Sequence, residues 1–138
     1  MSSEAGNGML RLKSSYSVSE TVERIESALK LRGIRLFCRI DHAAAAAEAG
    51  LKMPATQVLL FGNPAGVTPM MLAAPTLAID LPFKALVWDD QAGQVWLAYN
   101  EPEYLQARHG FPKHLGENLS GLVNLLREVA VPVNDFKL

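Results

Sequence analysis

Gln57 to Asp90 reads QVLLFGNPAGVTPMMLAAPTLAIDLPFKALVWDD, and the parsing of this stretch decides the fold. Thr56 to Phe61 shows no alternation of polar and apolar residues, so both faces of this strand should be covered and its place should be central in a sheet. Gly62-Asn63-Pro64-Ala65-Gly66 then reads as a glycine-bracketed turn, with Thr68 and Pro69 in the favoured N-cap and first-turn positions of a helix through Met70, Met71 and Leu72. A turn that delivers a helix N-terminus gathers free N–H groups and the positive end of the dipole, a generic anion-binding geometry. The same residues also serve as a plain structural turn, and the spacing of a P-loop is absent. Pro75 interrupts the helix, a further turn runs through Leu77 to Ile79, and Asp80-Leu81-Pro82 returns the chain to extended form. Phe83 to Asp89 and Gln94 to Asn100 are two strands of a hairpin joined by Asp90-Gln91-Ala92-Gly93.

Outward from this stretch, the N-terminal side begins with a small, polar tail over residues 1–9 and a strand from Leu10 to Tyr16. Ser17 followed by Glu20 forms a capping box, and Val18, Val22, Ile25, Ala28, Leu29 and Leu31 follow helical spacing until Gly33. Glu23, Arg24, Glu26, Lys30 and Arg32 form its solvated face. Ile34 to Ile40 has the β-branched and aromatic content of a strand, with Cys38 inside it as a small buried hydrophobe. Asp41 is placed to cap a helical turn through the alanines that follow. On the C-terminal side, Glu101 to Arg108 makes a short helix before His109-Gly110. After Pro112 a last helix buries Leu115, Leu119, Leu122, Val123, Leu126 and Val129. Gly116 and Gly121 weaken it, which calls for close packing against the sheet. One domain over residues 10–132 is expected, with a C-terminal tail over 133–138.

Composition bounds the function. With 138 residues, one core without staples is sufficient, and 13 basic against 14 acidic residues leave no basic stripe for a phosphate backbone, so nucleic acid is not an expected partner. The single cysteine cannot form an intramolecular disulfide, and residues 1–7 lack the basic and apolar regions of a secretory signal. No apolar run approaches the roughly 18 residues that span a bilayer. The expectation is a cytoplasmic chain without a membrane partner.

An antiparallel meander would bring the end of the Thr56 strand, the start of the Phe83 strand and the end of the Gln94 strand to one sheet end. Asn63, Thr68, Asp80, Lys84 and Asn100 would then cluster, with Lys84 and the helix start suited to a carboxylate or phosphate and the asparagines orienting its polar groups. Gly66 and Tyr99 complete the candidate ligand-binding set. The alternative is that Asp80 pairs with Lys84 and the asparagines tie turns. For an enzyme, His109 or His42 is the acid/base candidate, with Asp41 or Asp80 orienting the ring. His42, His109, His114, Met70 and Met71 match no ligand motif, so no metal is expected, and the sequence names no cofactor.

Phe61-Gly62-Asn63-Pro64, Gly66-Val67-Thr68-Pro69, Asp80-Leu81-Pro82-Phe83-Lys84, Val87-Trp88-Asp89 and Tyr99-Asn100 together resemble the bacterial and archaeal domain-of-unknown-function family 302. Asp41-His42 and Arg108-His109-Gly110 fit as well, and the resemblance spans Tyr16 to Val129. It implies a compact α+β domain, a curved and mainly antiparallel sheet packed by helices, similar to the TATA-binding-protein-like architecture. It implies no established activity. The expected function is a binding or sensing module with a pocket for a small, anionic molecule. The alternatives are an enzyme using histidine acid/base chemistry and a homodimerisation module acting through a sheet edge or the Trp88 and Trp96 surface.

Overall fold

The computed structural model describes residues 2–3 and 7–132. In chain order the elements are β1 (Ser2–Ser3), β2 (Met9–Ser14), α1 (Val18–Leu31), β3 (Arg35–Asp41), α2 (His42–Glu48), β4 (Thr56–Gly62), α3 (Pro64–Ala73), a 3₁₀ turn (Pro75–Ile79), β5 (Phe83–Asp89), β6 (Val95–Asn100), α4 (Pro102–His109), a second 3₁₀ turn (Lys113–Gly116) and α5 (Glu117–Val129). The fold is α+β, with one open antiparallel sheet in the order β1-β2-β6-β5-β4-β3. Of the expected N-terminal tail, Ser2–Ser3 pair with Arg11 and Leu10, and Met9 already belongs to β2. The expected C-terminal tail lies outside the described residues.

Alternation along each strand divides the sheet into two unequal faces. Leu10 and Leu12 of β2, Leu59 and Phe61 of β4, Phe83, Ala85 and Val87 of β5 and Leu97 and Tyr99 of β6 are buried in one core. Val22, Ile25 and Leu29 of α1 and Leu119, Leu122, Leu125 and Leu126 of α5 fill it from the helix side. Val58, Leu60, Leu86 and Trp88 have the opposite parity and are only half-buried. The expectation that both faces of β4 are covered is therefore corrected: helices close one face, and the apolar residues of the other line an open surface. Cys38 is likewise exposed, because β3 is the outermost strand.

Two further expectations change. The helix after β4 begins at Asn63, five residues before Thr68. The Asn63 carboxamide oxygen accepts the Ala65 N–H at 3.1 Å, the Asn63 carbonyl accepts from Gly66 and Val67 at 2.9 and 3.0 Å, and Pro64 takes the first turn. Asn-Pro carries the same cap-and-proline signature as Thr-Pro, and the earlier one nucleates. Pro69 is then inside the helix, where it lacks the N–H that the carbonyl of exposed Ala65 would otherwise accept. Gly121 is exposed on α5 with open space where a Cβ would stand, so no close packing explains it.

One buried polar knot joins β2 to α1. The Thr21 hydroxyl donates to the Ser17 carbonyl at 2.7 Å, so its oxygen accepts the Ser14 hydroxyl proton at 2.7 Å, and the Ser14 oxygen accepts the Tyr16 N–H at 3.2 Å. Every group in the knot is satisfied. The Arg24 side chain adds a clasp, donating to the Val129 carbonyl at 2.9 Å and stacking over Tyr16, which fixes α1 against the end of α5.

Two stability outcomes follow from this packing. Gly121→Ala should stabilise the domain by about 0.5–1 kcal/mol, since a helical position gains propensity with no clash. Thr21→Val should cost about 1–3 kcal/mol, because the buried Ser14 hydroxyl loses its acceptor. Urea denaturation of the two variants beside wild type measures both.

Candidate functional site

The strand ends meet as the meander requires. Phe61 pairs with Phe83, Leu86 with Ala98 and Met9 with Asn100, so Lys84 of β5, Asn100 of β6 and Met9 of β2 come to the same end of the sheet. All three belong to the open face. There they rim a pocket of about 250 Å³ whose floor is Val58, Leu86 and Ala98. His42 closes the remaining side, which places the start of α2 over the sheet. The chain thus brings His42, Lys84, Tyr99 and Asn100 of the candidate set to one pocket.

Lys84 is the charged group of this pocket. Its ammonium donates to the carbonyls of Asp80 and Pro82, both at 3.1 Å. Partial burial lowers its pKa from the ordinary lysine value, and the Asp80 charge opposes that shift without cancelling it. The Asp80 carboxylate itself faces other donors. Asn100 adds an amide at the rim. Tyr99 turns its ring into the core, 6.2 Å from Phe83, and burial raises its pKa while Arg127 partly restores it.

Beside this pocket stands a second polar cluster. Asp80 ends the first 3₁₀ turn, its N–H bonded to the Leu77 carbonyl. Its carboxylate accepts from Arg108 at 3.0 and 3.3 Å and meets His109 Nε2 at 2.5 Å. His109 is the last residue of α4, a helix stopped by Gly110 at φ 78°, in the left-handed region that suits glycine. The His109 side chain is 4% exposed, and its Nδ1 lies 2.8 Å from the hydroxyl of exposed Thr76. The sequence offers Asp80 as one of two partners for His109, and the structure adds Thr76. A threonine after a proline at a turn start carries no signal of a partner 33 residues away.

The remaining candidates sit apart from Lys84. Asp41 caps α2 by accepting the Ala44 N–H at 2.9 Å. Asn63 caps α3, and Gly66 lies within α3, where the Asn118 amide donates to its carbonyl at 2.9 Å and a Cβ would crowd that side chain. Thr68 borders a separate pocket of about 270 Å³ that is almost wholly apolar, walled by Phe37, Phe61, Met71 and Leu81. Because α3 is capped at Asn63, Thr68 stands inside the helix and not at its N-terminus. Among the described residues, no group of three His, Cys, Asp or Glu side chains gathers as a metal site.

Comparison with known proteins places this geometry in a family. A stretch of 109 residues, 79% of this chain, aligns at 43% identity with "Fluoride-specific ion channel FluC 1" of Brucella suis biovar 1 (strain 1330), covering 43% of that protein. "Fluoride-specific ion channel FluC 2" of Brucella melitensis biotype 1 aligns at 43% identity over the same share of this chain and 40% of its own length. The chain thus spans about two fifths of the curated relatives it matches. Among the described residues, no helix is long and apolar enough to cross a membrane. The crystal structure of "uncharacterized conserved protein DUF302 from Bacillus stearothermophilus" superposes with a TM-score of 0.74 at 20% identity, over 91% of this chain and 97% of that one, a likeness of fold. The profile of one family, "Domain of unknown function DUF302", matches residues 10–129, and with nearly the whole domain inside that match the chain belongs to this family.

Proposed function

We propose that the domain is a binding or sensing module for a small anion carrying an apolar part, a monocarboxylate being the chemistry that fits best, held at the Lys84 pocket. The observation that carries this reading is the state of the Lys84 ammonium. It is half-buried at the rim of an apolar floor, two of its three N–H groups go to backbone carbonyls, and the nearest carboxylate, Asp80, is engaged by Arg108 and His109. One charged donor is left for a ligand. Val58, Leu86 and Ala98 suit a short hydrocarbon chain, while Asn100 and His42 supply further polar contacts at the rim. The volume supports an acid of a few carbons rather than a nucleotide. The names of the Brucella relatives make fluoride a second anion to test, and a module within a longer chain is consistent with sensing.

Isothermal titration with acetate, butyrate, phosphate, chloride and fluoride tests the reading. Butyrate should bind wild type saturably, and Lys84→Met should lose at least about tenfold in affinity while keeping its circular dichroism, as expected for loss of a charge-assisted bond. Equal butyrate affinity in the two proteins would sink the assignment.

The pH dependence has a defined sign. Because the folded pKa of Lys84 is lowered, anion binding should fade as pH rises through that value, below the ordinary lysine pKa of 10.5. Over the same window the unfolded chain holds more protons, so the contribution of Lys84 to folding stability rises with pH. Titrations across pH 7 to 11 in wild type and Lys84→Met read both effects.

A further inference from the structure

The side chains of Asp80, His109 and Thr76 do not line the anion pocket, and their bonding order is that of an activated nucleophile. Asp80 is held by the Arg108 guanidinium, and an ionised carboxylate is only an acceptor. The proton between Asp80 and His109 therefore belongs to His109 Nε2. In the neutral imidazole this assignment leaves Nδ1 as a lone pair, and the 2.8 Å contact with Thr76 is then a bond from the hydroxyl to the imidazole. The base is buried at 4% exposure while the hydroxyl it accepts from is exposed, which confines exchange with solvent or a reactant to the Thr76 end. Nucleophile, base and orienting acid stand in hydrogen-bond contact in that order.

We propose that Thr76 is an acyl acceptor, with His109 as its general base, and that the domain hydrolyses activated acyl esters. In the first step Thr76 Oγ1 bonds to the ester carbonyl carbon and its proton passes to His109 Nδ1. The tetrahedral adduct then expels the alcohol or phenol, which takes that proton from Nδ1, and an acetyl or similar ester remains on Thr76. In the second step water attacks this ester, again losing a proton to Nδ1, and the carboxylic acid leaves as Thr76 regains its hydrogen. Asp80 is a positioning residue: it fixes the tautomer and stabilises the imidazolium without itself being protonated. Ala78, two residues beyond Thr76 on the same turn, lines the apolar pocket of about 270 Å³ with Leu81 and Pro82.

The test is p-nitrophenyl acetate, followed by release of nitrophenolate and by intact-mass and peptide mass spectrometry of the protein quenched in acid. Wild type should gain one acetyl group on Thr76, and Thr76→Ser should retain labelling at that position. Thr76→Val should lose it, together with on the order of 100-fold or more of the protein-dependent rate. His109→Gln should slow labelling by a similar factor. Thr76 is exposed, so Thr76→Val keeps the test readable if His109→Gln proves unstable. Nitrogen NMR of His109 should find Nε2 protonated and Nδ1 bare in wild type, and a different tautomer ratio in Asp80→Asn. An acetyl group found only elsewhere, an undiminished rate in Thr76→Val, or no rate above buffer in folded wild type would overturn the proposal.

Discussion

The constraint on which the structure depends is that α1 and α5, the two long helices, cover one face of the sheet only. Strand side chains alternate, so every residue that enters the core at Leu59, Phe83, Ala85 or Leu97 forces its neighbour to the other side. The neighbours include Val58, Lys84, Leu86 and Ala98, and these are the floor and the charge of the pocket. A polar residue on this face at a central strand is desolvated by its apolar neighbours but not enclosed, which is the physical reason for the lowered pKa of Lys84. The pocket is thus a consequence of sheet parity together with α2, which crosses to the open side and brings His42 with it.

Asp80 is the joint between this face and the helices. Its side chain reaches α4 through Arg108 and His109, and its main-chain oxygen reaches β5 through Lys84. The interaction is local in sequence on one side, four residues to Lys84, and distant on the other, 29 residues to His109. With the Asp80 side chain 16% exposed and His109 nearly sealed, this ion cluster is worth more than a surface pair, because little water competes for its partners. It also keeps the carboxylate from pairing directly with Lys84, so the ammonium stays unneutralised.

The parts of the fold written in local signals were legible in the sequence. Ser17 caps α1 as the sequence implies, its hydroxyl oxygen accepting the Glu20 N–H at 3.1 Å, while the Glu20 carboxylate accepts from that hydroxyl at 3.2 Å. The hairpin of β5 and β6 and the cap of α2 by Asp41 are equally local, and the meeting of Lys84 with Asn100 follows from the hairpin once its register is known. What could not be read depends on competition or distance. Asn63-Pro64 and Thr68-Pro69 carry one signature twice within seven residues, and the local pattern alone does not choose between them, whereas in the fold Asn63 is the cap and Asn118 of α5 bonds Gly66 inside α3. The unbroken apolar run of β4 does not distinguish a strand covered twice from one covered once by helices and once by a half-open surface. Cys38 looked buried for the same reason, since strand composition does not reveal that β3 lies at an edge. That edge carries a bulge near Phe37 and the charges of Arg35 and Arg39, features that oppose strand addition by another copy.

The two proposed activities share Asp80 yet use different atoms of it. Lys84 is oriented by the Asp80 carbonyl, which any residue at this position supplies, whereas His109 is oriented by the carboxylate, which only the side chain supplies. Removing the carboxylate while keeping the backbone therefore disturbs the imidazole first and the anion pocket only through lost charge. The Lys84 pocket opens on the sheet face, and Thr76 stands on the segment that leads into β5 from the helix side. An anion on Lys84 would draw the ammonium toward itself and loosen its hold on the Asp80 and Pro82 carbonyls, the same short segment that carries the carboxylate to His109. The short backbone from Asp80 to Lys84 thus carries both the carboxylate that meets His109 and the carbonyls that hold the ammonium.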